Sequence, residues 1–130
     1  MKTEDVRYFT PRQEELVAML SDLGLKKNTA KVLVYLTHVH EATSWDIEKN
    51  ADLRQSEVSH ALAYLSERGW IVFRASKTGS HGRPVKIFAL TTTFSRIIDA
   101  IETEKKAGMT GMLNRIRDLR EYTSRSEPVP

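Results

Sequence analysis

Residues 42–90 read ATSWDIEKNADLRQSEVSHALAYLSERGWIVFRASKTGSHGRPVKIFAL, and the periodicities in this stretch decide the fold. Residues 45–50 carry a short helical pattern and residues 51–53 make a tight turn. Residues 55–68 form a second helix, with Val58, Ala61, Leu62 and Leu65 at i, i+3, i+4 and i+7, the spacing of one buried helix face. Gly69 ends that helix, because glycine just beyond a helix terminus adopts the left-handed conformation without a Cβ clash. Residues 70–73 and 84–90 are rich in aromatic and β-branched side chains and read as two strands. Between them Lys77-Thr78-Gly79-Ser80-His81-Gly82-Arg83 is basic, holds two glycines and is longer than a minimal hairpin needs, the signature of a protruding finger.

The side of the 55–68 helix turned away from the core carries Ser56, Ser59, His60 and Ala63. These short side chains let a helix lie close to base edges in a major groove, where a helix meant only for solvent would more usually present Lys and Glu. Charge agrees. The net charge of +3 says little, but between residues 54 and 86 Arg54, Arg68, Arg74, Lys77, Arg83 and Lys86 face only Glu57 and Glu67. A local positive excess of this kind draws a polyanion toward one face.

Working outward, Thr10 caps a helix that opens at Pro11, with Gln13 as the return partner of a capping box. Leu16, Met19, Leu20 and Leu23 form its expected apolar stripe, and Gly24 ends it. Asn28 is the expected cap of the next helix, whose Ala30, Val32, Leu33, Val34, Tyr35, Leu36 and Val39 are apolar almost all round and place it centrally. Ala42 suits a short strand, Thr43 or Ser44 a cap, and Trp45 and Ile47 are expected to pack inward. Beyond residue 93 the pattern is helical again. Phe94, Ile97, Ile98 and Ile101 form one cluster, and Met109, Met112, Leu113, Ile116 and Leu119 form a second with coiled-coil spacing that needs another helix to cover it. Gly108 and Gly111 interrupt this run and mark either a bend or a close helix crossing.

A mainly α chain with a small β-hairpin is therefore expected, an α+β winged helix-turn-helix with a long C-terminal helix. The expected divisions are an arm over 1–10, a winged unit over 11–91, a dimerisation helix over 92–123 and a flexible tail over 124–130. With 130 residues, 40% hydrophobic and 28% charged, the composition fits one folded domain. The absence of cysteine excludes disulfides and thiolate metal sites. No apolar run is long enough to span a bilayer, and Met1-Lys2-Thr3-Glu4-Asp5 is too polar for a signal peptide, so the expected location is the cytoplasm, with no membrane association.

In this order of elements the chain resembles the winged helix-turn-helix transcriptional regulators of prokaryotes, most of all the small archaeal-type regulators related to the TrmB, MarR and ArsR families. The resemblance runs from about Leu16 to Thr91. It is carried by Leu23-Gly24-Leu25, Ala30-Lys31-Val32-Leu33-Val34-Tyr35-Leu36, Ser56-Glu57-Val58-Ser59-His60-Ala61-Leu62, Leu65-Ser66-Glu67-Arg68-Gly69-Trp70-Ile71 and Gly82-Arg83-Pro84-Val85-Lys86-Ile87-Phe88-Ala89-Leu90-Thr91. It implies sequence-directed binding of double-stranded DNA by a homodimer. By position Gln55, Ser56, Ser59, His60 and Ala63 would face bases, and Arg54, Lys77, His81 and Arg83 the backbone. Phe94, Ile98, Ile101, Met109, Met112, Leu113, Ile116 and Leu119 would form the dimer interface. A two-fold dimer implies a pseudo-palindromic site with half-site centres about one helical turn apart. The effector-binding domain of larger TrmB-like proteins and the cysteines of many ArsR-like sensors have no counterpart here, so a small-molecule effector stays unidentified.

His38, His40 and Glu41 invite a metal reading, but an i, i+2 spacing does not share a helix face, and a cation there suits the helix C-terminus. No cofactor and no catalytic constellation are expected. The rival reading is a winged-helix interaction module that contacts a protein through its C-terminal helix and does not bind DNA.

Overall fold

A computed structural model describes residues 9–77 and 83–126. The order of elements is α1 (Pro11–Asp22), α2 (Lys27–Val39), β1 (Glu41–Ala42), α3 (Ser44–Ala51), α4 (Gln55–Glu67), β2 (Ile71–Ser76), β3 (Val85–Leu90) and α5 (Phe94–Ser126). The chain divides into two units, Met1–Thr93 and Phe94–Pro130.

Two helix starts follow directly from capping chemistry. Thr10 Oγ1 accepts from the Gln13 N–H at 3.1 Å while Gln13 Oε1 accepts from the Thr10 N–H at 3.0 Å. Thr43 and Asp46 repeat the arrangement at 3.1 and 3.0 Å and start α3. Each box satisfies two backbone donors that a helix leaves without intrahelical partners. Helix α2 begins differently from the sequence expectation. Its N-cap is Lys26, which supplies no side-chain acceptor, and Asn28 lies inside the first turn.

Helix α2 is the centre of the first unit. Ala30, Val32, Leu33, Val34 and Leu36 are buried, and α1, α3, α4, β1 and β3 all pack against the helix. In α1 the inward residues are Val17 and Leu20. Met19, expected in the stripe, is 55% exposed, because Val17 and Leu20 at i, i+3 define a face that leaves it outside. Leu23 is likewise exposed at the C-cap. In α3, Ile47 and Ala51 point inward, one turn apart. Trp45 was expected beside them but is 62% exposed, with Lys49 Nζ 4.9 Å from its ring centroid. Two residues along a helix turn the side chain by roughly 200°, so Trp45 and Ile47 cannot share one face.

Helix α4 ends as its sequence requires, with Arg68 as C-cap and Gly69 at φ 77°. Trp70, expected as the first strand residue, precedes β2. It is buried, its N–H donates to Leu65 O at 3.0 Å, and its carbonyl accepts from the Thr91 N–H at 2.9 Å. The two-stranded ribbon is widened by β1 into an antiparallel sheet of order β1-β3-β2. Its register runs from Ile71 opposite Leu90 to Ser76 opposite Val85, with Ala42 opposite Phe88 on the other side of β3. Phe73 and Phe88 face each other across the strands with ring centroids 5.7 Å apart.

The second unit is a helix of 33 residues, about 50 Å long. It runs unbroken through Gly108 and Gly111, and a Cβ added at either would meet nothing within 4 Å beyond its own stretch of helix backbone. Ile97 and Ile101 are buried and Phe94 and Ile98 half-buried, whereas Met109, Met112, Leu113, Ile116 and Leu119 are 47–66% exposed. No helix among the described residues is long and apolar enough to cross a membrane.

The two tryptophans occupy opposite environments, and their truncation separates them. Trp70→Ala is expected to lower unfolding free energy by about 3–5 kcal/mol. Trp45→Ala is expected to change it by less than about 0.5 kcal/mol, both read from urea-denaturation midpoints.

Candidate nucleic-acid interface

Helix α4 has two sides of opposite character. Val58, Ala61, Leu62 and Leu65 are buried, which fixes its rotation about its own axis. Gln55, Ser56, Ser59, His60 and Ala63 are consequently all exposed, as the spacing requires. The helix N-cap is Arg54, whose backbone N–H donates to Glu57 Oε1 at 2.9 Å. An arginine side chain holds no acceptor, so Glu57 supplies the one side-chain contact of this helix start.

Six basic residues give this region its positive balance, and three of them are engaged within the protein. Arg74 donates to Glu41 Oε1 at 2.7 Å, an exposed ion pair between β2 and β1. Arg68 donates to Tyr64 Oη at 3.2 Å, and its guanidinium lies 4.7 Å from the Trp70 ring centroid. Lys86 Nζ lies 4.6 Å from the Phe73 ring centroid. Arg54, Lys77 and Arg83 remain. All three are exposed, and their side chains have no partner among the described residues. Lys77 follows β2 and Arg83 lies two residues before β3, so the strand register sets both at the outer end of the ribbon. His81 lies outside the described residues.

Two features here were not legible in the sequence. Tyr64 stands at the edge of the exposed side of α4 under Arg68, and the first turn of α2 lies beside the start of α4. That last juxtaposition forms a groove of about 460 Å³ lined by Lys26, Asn28, Thr29, Glu57, His60 and Ala61. A second cleft of about 460 Å³ lies between α1 and α2, and Lys27 of the same α2 turn lines it. Its Glu14, Asp22 and Asp52 outnumber Lys27 and Lys31, so it gives a polyanion no net attraction.

His38, one member of the suspected metal cluster, places Nδ1 2.9 Å from Val34 O and is held to its own helix. Among the described residues no group of three or more His, Cys, Asp or Glu side chains could hold a metal ion.

Similarity to other proteins agrees with this geometry. A possible transcriptional regulator from Methanosarcina mazei Go1 aligns with a TM-score of 0.63 at 15% identity, covering 81% of this chain and 86% of that one. A transcriptional regulator homologue from Pyrococcus horikoshii OT3 aligns at 0.50 and 16% identity, over 78% and 97% of the two chains. A MarR family transcription regulator aligns at 0.52 and 16% identity, over 88% and 79%. At such identities the likeness is one of fold, the winged helix-turn-helix. No curated protein matches the chain. Residues 20–93, more than half of the sequence, match the family described as sugar-specific transcriptional regulator TrmB, and the chain belongs to that family of transcriptional regulators.

Proposed function

We propose that the chain acts as a homodimer that binds double-stranded DNA sequence-specifically, with α4 in the major groove and the finger between β2 and β3 on the backbone or in the minor groove. The observation that carries this reading is the exposed side of α4, where Gln55, Ser56, Ser59, His60 and Ala63 offer short polar and apolar groups, with the unpartnered Arg54 at its start and the unpartnered Lys77 and Arg83 at the outer end of the ribbon. The cations would position the protein on phosphates without choosing a sequence, and the residues between them would choose it. Gln55 suits adenine through its amide, and Ala63 suits the thymine methyl group. Arginine, the usual partner of guanine, stands only at the two caps of the helix. Gln55 and Ala63 would therefore favour A·T pairs at the positions they contact.

On this reading the dimer forms through α5, with Phe94, Ile98 and Ile101 in one contact region and Met109, Met112, Leu113, Ile116 and Leu119 in another. The second set repeats at coiled-coil spacing and is exposed, which leaves an apolar seam for a second copy to cover. The family description names sugars, so sugars are the first effectors to screen, and the molecule would work in the cytoplasm by occupying promoters.

The decisive experiment is a fluorescence-anisotropy titration against mixed-sequence duplex and single strand over a range of salt. Duplex preference with a steep salt slope is expected, and no binding at low salt would sink the reading in favour of a protein-interaction module. In the same assay Arg83→Ala should weaken every duplex alike and reduce the slope of log K against log salt by about 0.9. Ser59→Ala or Gln55→Ala should mainly blur sequence preference, by about 1–3 kcal/mol at one base pair. Ile116→Glu places a charge in the proposed seam. Sedimentation velocity should then show a monomer that keeps its helical content and loses most of its duplex affinity, and an unchanged dimer would remove α5 from the interface.

A further inference from the structure

The groove between the first turn of α2 and the start of α4 is floored by the buried Ala61 and contains the one buried polar residue among the described residues, Thr29, which is 6% exposed. Three of the four other threonines within helices bond backward to their own backbone, as Thr37 Oγ1 does to Leu33 O at 2.9 Å and Thr103 Oγ1 to Asp99 O at 3.0 Å, and the fourth, Thr110, is exposed. The Thr29 hydroxyl has no hydrogen bond among the described residues. The Leu25 carbonyl, four residues back, accepts instead from Ser21 Oγ at 3.4 Å. Among the described residues no side-chain nitrogen or oxygen that is sealed from solvent lacks a partner, so the Thr29 hydroxyl retains its opening through the groove it lines. The hydroxyl is therefore an unpartnered group of a residue 94% buried, and it is reached only from the groove.

The surroundings decide the charge of any occupant. Lys26 is the N-cap of α2 and offers no side-chain acceptor, so the N–H groups of Lys27, Asn28 and Thr29 are without a capping side chain. Free N–H groups at a helix start favour an anion, and the Lys26 ammonium and Asn28 amide at the same wall add to that preference. The one carboxylate of the lining, Glu57, is held at the start of α4 by the Arg54 N–H. His60 lines the same groove and also belongs to the exposed side of α4.

We infer that this groove is a phosphate subsite, and that Lys26, Asn28 and Thr29 take a backbone phosphodiester of the duplex whose bases face His60. The inference rests on the duplex-binding reading above and adds α2 to the contacting elements. A helix lying in a major groove is flanked by the phosphates of both strands, and the residues packed beside its first turns meet one of them. The α2 contact would fix the depth at which α4 enters, as the finger fixes the other flank.

The test uses the full chain, a labelled mixed-sequence duplex, and Lys26→Gln, Thr29→Val, Thr29→Ser and Arg83→Ala. Thr29→Val keeps the shape of the side chain and removes only the hydroxyl, so thermal unfolding should be unchanged. Its duplex affinity is expected to fall about threefold to tenfold and to return in Thr29→Ser. Lys26→Gln is expected to reduce the salt slope by about 0.9. If both Lys26→Gln and Thr29→Val bind as wild type while Arg83→Ala is weakened, the groove assignment is overturned and the duplex reading stands. If wild type binds no duplex, the reading fails and the groove assignment fails with it. Inorganic phosphate, set against chloride at equal ionic strength, separates the two sources of this chemistry. Displacement of the duplex by less than about twofold supports a phosphodiester held by the assembled interface, and displacement of tenfold or more would give the groove to a free phosphate ligand.

Discussion

Helix α2 buries Ala30, Val32, Leu33, Val34 and Leu36, which point in nearly every direction round its axis, and the other elements of the first unit are placed to cover them. Burying such side chains is the dominant favourable term in a small fold, at about 1.5–3 kcal/mol for each Val or Leu. The cover has to come from amphipathic pieces, since each neighbour can give one side only. Helix α4 gives Val58, Ala61, Leu62 and Leu65, and this commitment holds its other side toward solvent. The rotation of the candidate reading surface is therefore set by the core and not by any residue on that surface. Ser59 or His60 can be changed without disturbing the packing that orients them.

The same separation holds for charge. Arg68, Arg74 and Lys86 are each engaged by an aromatic ring or a carboxylate close to the sheet. The Arg74–Glu41 pair is exposed on both sides, so its contribution to stability is below about 1 kcal/mol, and it links the two outer strands across β3. Arg54, Lys77 and Arg83, by contrast, extend into water at the start of α4 and the end of the ribbon. A count of basic residues along the sequence cannot make this distinction, because partners such as Glu41 and Trp70 come from elements apart in the chain or on the far side of a turn.

Features set by local spacing were legible in the sequence, and features set by the meeting of distant segments were not. Thr10 with Gln13, the stop at Gly69 and the two sides of α4 all follow from contacts within four residues. Met19 and Trp45 were misplaced for a related reason. Both α1 and α3 offer more apolar residues than one face can hold, and hydrophobicity alone does not say which of them turns inward. The angle between Trp45 and Ile47, about 200°, does say so for α3. Asn28 reads as a cap because asparagine favours that position, but α2 starts at Lys27 and leaves Asn28 and Thr29 at the groove beside α4. That groove joins residues 26–29 to residues 57–61, and no periodicity spans such a separation.

Under the proposed homodimer, the apolar seam of α5 and the cationic ends of the ribbon act on one equilibrium. A single winged unit of this size neutralises few phosphates and buries limited DNA surface, so its affinity alone is modest and largely independent of sequence. Once two copies are joined, binding of the second unit follows the first at the high effective concentration set by their connection. Linkage makes the effect reciprocal. A duplex that engages both units at once stabilises the pairing of α5 by the same free energy with which the pairing strengthens duplex binding. Residues such as Ile116 would thus influence operator occupancy without approaching the DNA, and the exposure of the seam in a single chain would be the cost of having that control.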